Sequence, residues 1–214
     1  MKLNEITSPA LTPAQVKWLK DMKIPRYSVD DEGFVNVDKN VDISSKHLKV
    51  IPVKFGYVGG GFYCNYNNLS SLQGAPREVS GDFHCDYNNI SSLQGSPREV
   101  GGEFDCANNK LTSLQGAPKE VGGGFDCSFN NILSLQGAPR EVGGHFYCNS
   151  NKLTSLQGAP REVGGSFWCH YNKLTSLQGG PNEVGGDFHC DDNKFKTEPD
   201  HSFIKIGGEF EWKL

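Results

Sequence analysis

Seven cysteines, Cys64, Cys85, Cys106, Cys127, Cys148, Cys169 and Cys190, follow one another at a constant interval of 21 residues. Thiols in such a column could ligate metal, exchange disulfides or fill a core. Metal ligands must converge on a point from different directions, which a straight column does not do. An odd number of cysteines poorly suits a disulfide framework, although cysteines on adjacent strands, roughly 5 Å apart at Cα, are not excluded from bridging by distance alone. Each cysteine has a phenylalanine two residues before it and an asparagine three after. The expected role is therefore that of a small buried hydrophobe paired with an inward aromatic ring.

Histidines and aspartates are the other reactive set. His170 lies one interval before Asp191, and His189 stands two residues before Asp191, so the three should meet across neighbouring strands. His84, Asp86 and Asp105 repeat the relation. Imidazole with carboxylate can hold a divalent metal or serve as acid and base. No nucleophile or oxyanion-type loop accompanies either group. The expectation is thus a protein that is not an enzyme and needs no cofactor, with His170, His189 and Asp191 as the candidate metal ligands should there be any.

The interval that places these residues implies a repeat array, in which one unit is too small to bury a core and must stack on its neighbours. In the copy GAPREVGGHFYCNSNKLTSLQ, residues 137–157, Phe146 and Cys148 stand two apart and point to one side of a short strand. Val142, Leu153 and Leu156 complete an apolar ring, Gly143 and Gly144 admit the turn into the strand, and Pro139 stiffens the return. The asparagine column, Asn67 through Asn193, leaves each strand where its amide can satisfy backbone groups of the next turn. Val41 and Ile43 extend the framework upstream, and Phe210 and Trp212 close it downstream after a one-residue insertion. The fold class expected is a β-rich solenoid of about nine parallel rungs.

Three segments follow. Residues 1–40 should form a cap: a lead-in over residues 1–10, a helix that Thr12 caps and Pro13 opens, with Val16, Leu19 and Met22 on its apolar side, and a β-hairpin around Asp30 to Gly33. The array occupies 41–198, and 199–214 is a degenerate closing unit. Both caps are expected because an open solenoid end exposes core and strand edge.

Composition excludes some partners. No basic run offers itself to a phosphate backbone, so nucleic acid is not expected. No apolar stretch approaches the length needed to span a bilayer, and the start lacks the apolar region of an export signal. With its unpaired thiols, the chain is expected in a reducing cytoplasm, off the membrane.

The unit F-x-C-x-x-N-x-L-x-x-L resembles the core of the leucine-rich repeat, with phenylalanine and cysteine in two of the leucine positions. The P-x-x-V that follows looks like the short bacterial variety, and GAP-x-EVGG is similar to repeat proteins of tailed phages. The resemblance implies protein binding through the concave, strand-bearing face, in a host cytoplasm if the chain is phage-encoded. A ubiquitin-ligase activity carried by some effectors of that type is not expected, because no segment for it follows the repeats.

Differences among the copies locate the expected face. The position after the phenylalanine carries Tyr63, His84, Asp105, Asp126, Tyr147, Trp168 and His189; the one before it includes His145. After the cysteine come Asp86, His170 and Asp191, and next to them Tyr66, Tyr87, Phe129, Tyr171 and Asp192. All are expected on the outward side, where, with the last rung, ten carboxylates meet one lysine among exposed aromatic rings. Arg77, Arg98, Lys119, Arg140 and Arg161 stand beside a glutamate column on a solvated face. The leading expectation is a protein-binding module for a partner with a basic or amide-rich surface, with Trp168 as anchor. A metal-binding or hydrolytic protein, a carbohydrate binder and a structural particle component are the alternatives.

Overall fold

The computed structural model describes residues 10–24 and 26–213; of the expected lead-in, all but Ala10 lies outside them. Helix α1 (Pro13–Asp21) starts with a reciprocal cap, Gln15 N donating to Thr12 Oγ1 at 3.3 Å and Thr12 N to Gln15 Oε1 at 2.9 Å. Leu19 is fully buried, and Trp18 and Met22 pack on the core beside it. Val16, expected on that side, is instead 44% exposed. The helix is turned by its tie to the first coil, where Gln15 Nε2 donates to Pro52 O at 2.9 Å.

The hairpin forms as expected, β1 (Ser28–Val29) pairing antiparallel with β2 (Val35–Val37). Asp30 Oδ1 holds its turn by accepting from Glu32 N and Phe34 N, at 3.0 and 2.9 Å. Strand β2 then pairs parallel with Phe55–Val58, so the hairpin extends a sheet of the array. The Arg77 guanidinium fastens it, lying 3.6 Å over the Phe34 ring and pairing with Glu32 at 3.0 Å.

The array is a parallel β-solenoid. One sheet has nine strands, from β3 (Val41–Asp42) to Phe210–Glu211, with each phenylalanine paired to the next across successive rungs. The rung count matches the expectation. A second sheet of ten strands was not anticipated: it begins with the hairpin and Phe55–Val58, continues through the Glu-Val dipeptides from Glu78–Val79 to Glu183–Val184, and ends at Lys205–Ile206. Two residues are too few to show an alternating pattern, so only the parallel stacking of identical units reveals these strands.

Between the sheets runs the core. The rings from Phe62 to Phe188 stack at 5.0–5.6 Å between centroids, with planes within 20°. Each is fully buried, which contributes roughly 1.5–3 kcal/mol per ring. The seven cysteines are free and buried beside them, and burial pushes their thiols up, that of Cys190 to about 12. The Cys106 and Cys127 thiols donate to the carbonyls of Asp126 and Tyr147, each at 3.2 Å, so these thiols have polar partners that the sequence did not suggest. Glycine at 143 is required by close stacking, since a Cβ there would collide with the Gly122 carbonyl oxygen.

The asparagines form the expected ladder. Asn130 Oδ1 accepts from Leu111 N at 2.9 Å, while its Nδ2 donates to the carbonyls of Cys106, Cys127 and Ser128 at 3.1–3.2 Å. One side chain thus joins two coils at the point where neither has sheet partners.

Candidate binding face

The variable positions all belong to the nine-stranded sheet and the turn that follows each strand, but they are not equally exposed. The position after the cysteine is the correction: Asp86, Ala107, Ser128 and Asn149 are buried there, where an outward column was expected. The reason lies one residue on. Tyr66, Tyr87, Asn108, Phe129, Ser150, Tyr171 and Asp192 all adopt left-handed backbone, φ +49° to +56°, and this sharp turn folds the chain over its predecessor. At the bend itself the side chains stand out: Tyr66, Tyr87, Phe129 and Tyr171 are 53%, 48%, 55% and 58% exposed. Tyr66 and Tyr87 stack at 4.5 Å.

Toward the N-terminal half the face is acidic. His84 pairs in register with Asp105, and Asp105 with Asp126. Ligand atoms of His84, Asp86 and Asp105 lie within 4.8 Å of one another. Tyr63 meets His84 edge to face at 5.3 Å, and the Glu103 carboxylate lies 3.8 Å from His84 Nε2. Asp105 and Asp126 each accept a backbone bond two residues on, from Ala107 N at 2.9 Å and Ser128 N at 2.8 Å. Burial, with the neighbouring carboxylates of Asp126 and Asp86, pushes Asp105 up to about 8; burial likewise raises Asp86 and Asp126.

The C-terminal half is aromatic. Trp168 stacks on His189 at 3.6 Å, meets His170 edge to face at 5.7 Å and lies 6.0 Å from Tyr147. It is therefore half-buried rather than left in water as the sequence suggested. His189 is fixed beneath it by Glu211, Nδ1 to Oε2 at 3.0 Å, with Asp187 at 3.9 Å from Nε2. Among the described residues, the grouping of potential metal ligands is His84, Asp86 and Asp105, and not His170, His189 and Asp191. His145 sits apart, accepting from Ser166 N at 2.9 Å, and Tyr171 leans on His170 while the Asp192 carboxylate raises its phenol.

Glu103 and Asp187, which flank the histidines, count among the ten carboxylates of the expected face but were not singled out as site residues; both precede a phenylalanine and so share the face of the residue two further on. Five buried side-chain polar atoms have no hydrogen-bond partner among the described residues, and all belong to this face: His84 Nε2, Asp86 Oδ1, Trp168 Nε1, His170 Nδ1 and His189 Nε2. Such atoms are costly to bury in a fold that is otherwise well paired.

The Glu-Val sheet carries the other surface, an open groove lined by Glu99, Glu120, Glu141 and Glu162 with Lys119 and Arg140 at its edge. Among the described residues the basic column forms side-chain ion pairs only near the ends, Arg77 with Glu32 and, on the last strand, Lys205 with Glu183. Those in between are solvated.

Compared with protein-family models, curated proteins and solved structures, the chain matches none of them. No helix among the described residues is long and apolar enough to cross a membrane.

Proposed function

We propose that this chain is a binding module of the short bacterial or phage leucine-rich repeat type, which takes a partner protein on the variable face of its nine-stranded sheet and so modulates a host protein in the cytoplasm. The observation that carries this reading is the aromatic occupancy of the left-handed column. That backbone favours glycine, asparagine or aspartate, and Asn108 and Asp192 occupy it in two copies. Tyr66, Tyr87, Phe129 and Tyr171 stand there about half exposed and away from the core. Rings placed in a disfavoured conformation and left in water do little for folding, and they are the usual material of protein-binding hot spots. The carboxylates between them favour a partner with basic or amide-rich surface, drawn in faster at low salt.

A partner captured from host lysate allows a direct comparison by calorimetry. Trp168→Ala should weaken binding by at least about 2 kcal/mol. Because Trp168 stacks on His189, the same change should also cost about 1 kcal/mol of folding stability, read from denaturant unfolding. Arg161→Ala, on the solvated column, should cost under about 0.5 kcal/mol of binding. Equal losses, or a larger one for Arg161, would place the partner on the Glu-Val side instead.

A further inference from the structure

We propose that His84, Asp86 and Asp105 form a binding site for one divalent transition-metal ion, independently of the protein-docking role of the same face. His84 and Asp86 stand two apart on one rung and point the same way, and Asp105 is the register partner of His84 on the next. Their ligand atoms already lie within 4.8 Å of one another. A cation bonded at about 2.1 Å to each holds cis ligands about 3 Å apart, so side-chain rotations of an ångström or two close the site.

The charges call for a cation. Asp86, Asp105, Asp126 and Glu103 crowd around a single imidazole, and among the described residues no lysine or arginine pairs with any of them. Protons on the carboxyl groups could neutralise this cluster, and Asp105 accordingly takes one up more readily than an ordinary carboxylate. Protonation alone, however, leaves two particular atoms without a partner. Asp86 is 6% exposed and its Oδ1 has no hydrogen bond; His84 Nε2, on a side chain 26% exposed, is itself inaccessible and has no hydrogen bond, with the Glu103 carboxylate 3.8 Å away. Both carry a lone pair, the imidazole in the tautomer protonated at Nδ1, and a metal ion accepts lone pairs where a proton donor is lacking. Asp105 is oriented as a ligand should be, one oxygen held by the Ala107 amide and the other left over.

One imidazole with two carboxylates suits Mn2+, Fe2+, Co2+ or Zn2+ better than Mg2+ or Ca2+, which take oxygen alone, or Cu+, which prefers sulfur. All three ligands come from one sheet surface. The outward coordination positions are therefore open to water or to a carboxylate of a bound partner.

The test uses the full chain, stripped with chelator and then freed of it. Mn2+ is the first probe, because it avoids thiolates and its electron paramagnetic resonance signal falls on binding; Zn2+ calorimetry is the second. The expected result is saturable binding of one ion per chain with a raised melting temperature. Asp86→Asn and His84→Gln should each raise the dissociation constant at least about tenfold. Asp105→Asn keeps the shape while removing a like charge, so a folded variant with weakened binding is expected there too, which guards against loss through misfolding. No saturable binding at about 1 mM Mn2+ or Zn2+ would overturn the proposal. So would binding of equal strength in the three variants, which would place the ion on exposed carboxylates elsewhere.

Discussion

Phe129 shows how a single position can serve binding at the expense of folding. Its φ of +52° is the conformation in which an L side chain other than asparagine or aspartate is strained, and among the described residues its ring has no stacked neighbour, since Asn108 and Ser150 occupy the same place in the adjacent copies. Phe129→Asn should therefore leave stability unchanged or raise it by up to about 1 kcal/mol, measured by urea unfolding, while weakening partner binding. A loss of stability above that size would mean that the ring supports the fold. Tyr87 is a poorer test of the same idea, because its stack on Tyr66 offsets part of the strain.

At the scale of the element, each coil is held by one asparagine and burdened by its acidic neighbours. Asn130→Ala removes four hydrogen bonds and orphans the Leu111 amide, while the Cys106, Cys127 and Ser128 carbonyls each keep a second donor, so a cost of about 1–3 kcal/mol is expected in denaturant unfolding. The carboxylates give a pH dependence of definite sign. With Asp105 pushed up to about 8, the folded chain retains a proton between about pH 4 and pH 8 that the unfolded chain releases. Stability in chelator should therefore be fullest below pH 4 as far as this group is concerned, and should fall as pH rises towards 8, by on the order of a few kcal/mol. Asp105→Asn should flatten that slope; an unchanged slope would show that Asp105 ionises as an ordinary carboxylate.

For the whole molecule the stacking that makes the repeats strong leaves two ends to protect. The helix and hairpin cover the first, with Leu19 fully buried and Arg77 bridging to Phe34 and Glu32. At the other end Phe210 tilts 36° from Phe188 and stacks on His201 at 3.8 Å, while Trp212 packs partly against the core. A chain lacking residues 1–40 should expose the Phe55–Val58 edge, which the hairpin pairs, and the first core side chains, and should aggregate or melt at lower temperature than the intact protein. Light scattering and calorimetry would detect this, and an unchanged monomer would show that the segment caps nothing.

Read alone, the sequence determined the solenoid, its nine rungs, the buried cysteines, the asparagine ladder and the helix with its hairpin. These follow from local rules repeated at a constant interval, and a period of 21 leaves one register in which phenylalanine meets phenylalanine. Tertiary structure alone decided the rest. The Glu-Val strands exist only through their neighbours, because a dipeptide has no alternation to read. The left-handed bend buries Asp86 while exposing Tyr87, a reversal between adjacent residues that strand periodicity cannot express. Trp168 finds shelter because the neighbouring rung offers His189, itself fixed by Glu211 across a one-residue insertion. Which histidine joins which carboxylates depended likewise on side-chain direction: His189 is committed to Trp168 and Glu211, whereas His84 clusters with Asp86 and Asp105 and keeps its Nε2 without a hydrogen bond, because the stacking of the rungs, and not the spacing of the residues, sets what each ring touches.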